Sequence, residues 1–234
     1  MSILNGNISR SILISERSPF GEPFNELGAI RERGQIMDTA ALINKTTGEE
    51  LLVAAGRGLV GVYRVGLDGK YEQLSSLEIQ ADSRQLAVSD GFGYLTARAD
   101  GLYVVDLTSP EQPRLAAHID TLELATGVAA AGQLLAVTNR HMGCELYDIS
   151  DPYHPARLGD FLCGEAQSVW LHQNLAVASD WMNKQVHIFD ISNPHIPRRL
   201  SSFSVDGFSD GVSVVTVSRG KAARTICLVA TGHP

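Results

Sequence analysis

The side chains of this sequence that could do chemistry are charged loop residues returning at a regular phase. One set, Asp38, Asp82, Glu123, Glu165 and Asp210, precedes successive apolar runs. A second set, Arg57, Arg98 and Arg140, follows at nearly one phase, with Asp180 and then Gly232-His233 in the corresponding later places. Arginine's planar fork bonds carboxylates bidentately, so such acids and arginines can tie neighbouring loops together. That is the ordinary use of surface charges, and it adds little stability. The other use is to present oriented charges to a partner. The segment Asp180-Trp181-Met182-Asn183 interrupts the arginine series with an aromatic residue and a methionine, types favoured at contact surfaces. Trp181 either packs over a neighbouring unit or faces a partner. The candidate binding residues are therefore Arg57, Arg98, Arg140, His141, Glu165, Asp180, Trp181 and His233.

No residue is assigned a catalytic role. The sequence has no GxSxG nucleophile elbow and no GxxxxGK[ST] phosphate loop. Gly91-Phe92-Gly93 lies between two strand-like runs with no helix to follow, so it reads as a hairpin turn. The seven histidines show neither HxH nor HExxH spacing, and no metal or cofactor is expected. Asp106, Asp148 and Asp190 recur, but each stands without the cluster of oxygen ligands that calcium needs. An aspartate ending a strand more often accepts the backbone N–H groups of its own turn. Cys144, Cys163 and Cys227 form no CxxC pair and read as free thiols.

The elements that must position these residues come from a repeat. Leu102-Tyr-Val-Val-Asp106, Cys144-Glu-Leu-Tyr-Asp148 and Val186-His-Ile-Phe-Asp190 align, their aspartates 42 residues apart in both intervals. Each is followed by a turn with two prolines: Ser109-Pro110 and Pro113, Asp151-Pro152 and Pro155, Asn193-Pro194 and Pro197. The first proline suits position i+1 of a type I turn, and the second suits the entry to an outer edge strand. Around each copy lie four short runs, partly β-branched or aromatic and bounded by Gly, Asn, Asp or Pro. A four-stranded unit of this period is the blade of a β-propeller. The sequence resembles the LVIVD-repeat proteins, clearly over about residues 86–216, through Leu102–Asp106 and through the Ser150-Asp151-Pro152…Pro155 turn. The resemblance implies a propeller-like array with no common catalytic activity, in proteins often secreted or attached to a surface.

The expected architecture is all-β: one propeller domain over residues 1–234, of about five four-stranded blades. The blades fall near 36–79, 80–120, 121–163, 164–206 and 207–231, the last completed by residues 8–30 so that the termini share a closing blade. The rival arrangement is a fragment of a longer array. A closed ring leaves no free sheet edge, and a closed ring is expected to be monomeric. The net charge of −7 disfavours nucleic acid as a partner. No apolar run reaches the length of a membrane span, and the N-terminus lacks the apolar stretch of a signal peptide. Without that stretch the cytoplasm is the expected compartment. The expected function is non-catalytic: a rigid ring presenting a loop face to a protein or peptide. The alternative is a propeller hydrolase or lyase with acids and histidines at the channel mouth, which stoichiometric zinc or calcium would favour.

Overall fold

The computed structural model describes residues 11–16, 25–31, 36–66, 68, 70–219 and 222–232, with backbone alone at 11–16, 25–31, 219 and 222. These residues form antiparallel sheets in chain order. β1 (Ser11–Glu16) pairs with β2 (Asn25–Arg31). β3 (Ile36–Ile43), β4 (Glu50–Val65) and β5 (Tyr71–Asp82) make the next sheet. Then follow β6 (Gln85–Ser89), β7 (Phe92–Thr96), β8 (Leu102–Asp106) and β9 (Arg114–Ile119). The third expected blade gives β10 (Ala125–Ala131), β11 (Leu134–Asn139), β12 (Cys144–Asp148) and β13 (Ala156–Phe161). The fourth gives β14 (Ala166–His172), β15 (Leu175–Asp180), β16 (Gln185–Asp190) and β17 (Arg198–Ser204). β18 (Phe208–Arg219) and β19 (Ala222–Gly232) pair last. The fold is all-β and propeller-like, and the strand order within each sheet follows the chain.

β4 contains two strands of its unit. Its first part, Glu50–Gly56, pairs with β3, while Arg57–Val65 pairs with β5. Glu49 and Arg64 form an ion pair at 2.5 Å. A straight strand would separate residues so spaced by about 50 Å, at about 3.3 Å per residue. The chain therefore doubles back near Gly58, whose φ of +73° needs a residue without a Cβ. The unit is four-stranded in effect, like the three that follow it.

The core lies between the sheets. Consecutive residues of a strand point to opposite faces, and here they feed different clusters. Leu51, Val53 and Ala55 join Leu86, Leu95 and Val105 between the first two full units. Tyr94 and Val104, one residue away from Leu95 and Val105, pack with Val128, Leu135 and Val137 of the next unit. Ala136 and Leu146 then meet Val169, Ala178 and Phe189, and Val177 and Val186 meet Val212 and Val214. Inner strands buried on both faces explain why the apolar runs are continuous.

The repeated aspartates hold their turns. Asp106, Asp148 and Asp190 each accept, through Oδ1, the N–H two residues on, from Thr108 at 2.9 Å, Ser150 at 2.8 Å and Ser192 at 2.9 Å. The proline turns close with i to i+3 bonds, Gln112 to Ser109, His154 to Asp151 and Ile196 to Asn193. Asp90 and Gly91, with φ of 53° and 85°, make the two-residue hairpin between β6 and β7.

A second recurring bond ties each sheet to its successor. Asp38 Oδ2 accepts the Leu86 N–H at 2.8 Å, Gln85 Oε1 accepts Val128 N–H at 3.4 Å, and Ser168 Oγ accepts Val212 N–H at 3.3 Å. The strand registers make Asp38, Gln85, Gly127 and Ser168 equivalent positions. Gly127 has no side chain to offer, and there Thr126 Oγ1 donates to the Ala166 carbonyl at 2.7 Å instead. Burial raises the Asp38 carboxyl above its usual range, against the pull of its two N–H donors from Leu86 and Thr39.

Candidate functional site

The innermost strands begin with a local irregularity that turns one residue out of the ladder. Register shifts occur between Ala125 and Gly127, between Ala166 and Val169, and between Ser209 and Gly211. At β6 the equivalent feature is Arg84, whose N–H bonds the Thr96 carbonyl at 2.7 Å beside the Gln85–Thr96 pair. Bulges re-aim side chains at sheet ends. Here they bring Arg84, Thr126, Gln167 and Asp210 to one cavity of about 280 Å³, closed by Leu124, Arg98, Arg140, Glu165 and Trp181.

Four of the residues expected from the sequence, Arg98, Arg140, Glu165 and Trp181, thus meet in one hollow. Arg140 donates from Nε to Glu165 Oε1 at 2.9 Å, across two units. Trp181 Nε1 donates to Asp210 Oδ1 at 2.8 Å, also across two units, and its ring stacks on Phe208 with centroids 4.2 Å apart. Trp181 is half-buried, so it both packs on the neighbouring unit and walls the cavity. Met182 is 57% exposed beside it.

The other expected residues lie elsewhere. Arg57 pairs with Asp82 at 3.7 Å, both largely exposed and outside the cavity lining. His141 is exposed and donates its backbone N–H to Glu123 Oε2 at 2.6 Å. Asp180 is buried: it accepts the Glu165 and Asn183 N–H groups, Asn183 Nδ2 at 2.8 Å, and faces His187 Nε2 at 3.3 Å. It anchors the Trp181 loop rather than facing a partner. His233 lies outside the described residues.

The cross-unit pairs form a series with one break. Arg57–Asp82 and Arg140–Glu165 are the same loop-to-loop pairing one unit apart from Arg98–Glu123 on either side. Arg98 makes no ion pair among the described residues, and Glu123 Oε2 instead accepts the His141 N–H. Arg98 is exposed, and its φ of 53° is unusual for a residue with a Cβ. Arg84, which sequence reasoning missed, is half-buried and bonds the neutral Gln167 Oε1 at 3.2 Å. Its Nε is buried with no hydrogen-bond partner among the described residues. Burial, then the charge of Arg98, lowers the Arg84 guanidinium's proton affinity; Asp210 opposes and Arg140 adds to the lowering. Among the described residues the hollow therefore gathers three guanidinium groups against the carboxylates of Glu165 and Asp210, a local excess of one positive charge on an acidic chain.

Among the described residues no three His, Cys, Asp or Glu side chains converge as metal ligands, and no helix is long and apolar enough to cross a membrane. Cys144 and Cys163 are buried free thiols, Cys163 pushed up to about 12 by burial and by the charge of Asp180. Residues 81–121 and 163–204 match the family model of the LVIVD repeat. These are the β6–β9 and β14–β17 units, and the β10–β13 unit between them has the same strand order. No curated protein matches the chain.

Proposed function

We propose that this propeller-like repeat domain is a binding module whose cavity-bearing loop face docks a protein or peptide partner. The observation that carries the reading is Arg98: an exposed cation at the cavity rim, left among the described residues without the acid that its equivalents Arg57 and Arg140 each have. Sheets cross-tied by hydrogen bonds and packed cores make a stiff frame, and a stiff frame holds loops ready for contact. Proteins retained by the immobilised wild-type chain are compared with those retained by Arg98→Asn, Trp181→Ala and Arg57→Asn. Loss of the same partner from the first two variants and its retention by the third supports this face. Retention by all three removes it.

We also infer that β1–β2 and β18–β19 complete one blade between them. Each is a two-stranded sheet, and β18–β19 leaves Val215, Val217, Ile226 and Leu228 exposed for further strands to cover. A closed ring of this length has a radius of gyration of about 17 Å. Solution scattering from an elongated particle would refute closure.

A further inference from the structure

We infer that the hollow beside Arg98 receives a single carboxylate from an acidic peptide segment, an inference that rests on the docking face proposed above. Among the described residues, Arg98 and Arg84 are the two cations there with no carboxylate bound to them, since Arg140 is taken by Glu165 and the Arg84 side chain bonds only the amide oxygen of Gln167. Guanidinium groups bind carboxylates and phosphates alike in bidentate geometry, so the walls must choose between the two. Glu165 and Asp210 stand on those walls and leave an excess of one positive charge. A single carboxylate neutralises that excess, whereas a doubly charged phosphate would leave one uncompensated negative charge in a half-enclosed hollow, which is costly. At about 280 Å³ the hollow is smaller than the ~300–1,000 Å³ of pockets for drug-sized molecules. It fits one side chain or chain end, with Leu124 and the Trp181 ring lying along the aliphatic stem. The rest of the segment then runs over the rim toward exposed Met182.

The test measures fluorescence anisotropy of a labelled, end-blocked hexaglutamate peptide, with unlabelled hexaglutamine peptide and inorganic phosphate as competitors. Wild-type protein is expected to bind hexaglutamate, and hexaglutamine and phosphate are expected to compete at least about tenfold less well than unlabelled hexaglutamate. Arg98→Asn and Arg84→Met should each weaken binding about tenfold or more, while Arg57→Asn, on the same face outside the hollow, should leave it unchanged. Thermal melts check that the variants fold; Arg98 is exposed, so its variant keeps the test open if Arg84→Met unfolds. Equal binding of hexaglutamine, displacement by phosphate at lower concentration, or an equal loss in Arg57→Asn would overturn the assignment. If hexaglutamate fails to bind yet Arg98→Asn still loses a captured protein, the carboxylate assignment falls and the docking face stands. If neither measurement responds to Arg98, both fall.

Discussion

Asp106 makes acid stability a sharp test of how the repeat turns are held. Its Oδ1 accepts the Thr108 N–H at 2.9 Å and the Thr108 hydroxyl at 2.6 Å, while Oδ2 accepts Arg114 Nε at 2.8 Å and the Tyr153 hydroxyl at 2.5 Å. Burial pushes the carboxyl up, but Thr108, Tyr153 and Arg114 outweigh it and hold it at about 2, against the ordinary 3.8. A carboxyl depressed by folding binds its proton more weakly in the native chain than in the unfolded one. Its stabilisation is complete above the unfolded value and fades as pH falls through the folded value. At about 1.4 kcal/mol for each tenfold, the difference amounts to about 2 kcal/mol. The carboxyl is only 2% exposed, but its donors Arg114 and Tyr153 are 70% and 38% exposed, so about 2 kcal/mol is the upper end of the effect. Urea unfolding of the wild type and of Asp106→Asn, repeated from about pH 5 down to about pH 2, isolates this group. The stability gap between the two proteins should shrink by up to about 2 kcal/mol over that range. Tyr153→Phe, which removes one donor, should show a smaller version of the same trend. A gap that stays constant with pH would refute the reasoning, because it would mean that Asp106 titrates alike in both states.

Other positions give equally direct outcomes. Gly127→Ala would set a Cβ 2.6 Å from the Gln167 carbonyl, 2.8 Å from Thr138 Oγ1 and 2.9 Å from Gln85 Oε1. It should cost about 2 kcal/mol in denaturant unfolding. Arg98→Asn places a residue tolerant of left-handed φ where arginine now sits at 53°. Stability should hold or rise by up to about 1 kcal/mol in thermal melts while docking is lost. Asp180→Ala strips the partners of Glu165, Asn183 and His187 and should destabilise by about 3 kcal/mol. The same variant should shift the tryptophan emission as the Trp181 loop loosens.

Much of the scaffold was legible because the repeat writes the same chemistry three times. The strand ending at Asp148 and the turn at Asp151-Pro152 are found where the spacing puts them, and so are their copies one period either way. Phase brought Arg98, Arg140 and Glu165 together, and Trp181 stood out where the arginine series breaks; the four line one hollow. Arg84 escaped notice because it stands just before β6 and is placed by its N–H bond to the Thr96 carbonyl, which depends on how two strands meet and not on spacing. Asp180 looked like a loop residue open to solvent, and only the fold shows His187 and the Glu165 N–H turned toward it. The spacing that correctly pairs Arg57 with Asp82 and Arg140 with Glu165 predicts a partner for Arg98 as well. Where that partner would stand, Glu123 accepts the His141 N–H, a contact that no spacing in the sequence reveals.

The bonds from Asp38, Gln85 and Ser168 into the following sheet differ in reach, since the three side chains differ in length, and at Gly127 a hydroxyl from the preceding residue takes over. Each junction is consequently tailored to one pair of neighbours. Repeats that look alike on paper are thus not spare parts for one another. Transplanting the β6–β9 unit into the slot of β10–β13 would bring a glutamine where the adjoining strands leave room for a hydrogen atom. A chimera of this chain would have to exchange whole junctions, with the seam cut through the middle of a sheet.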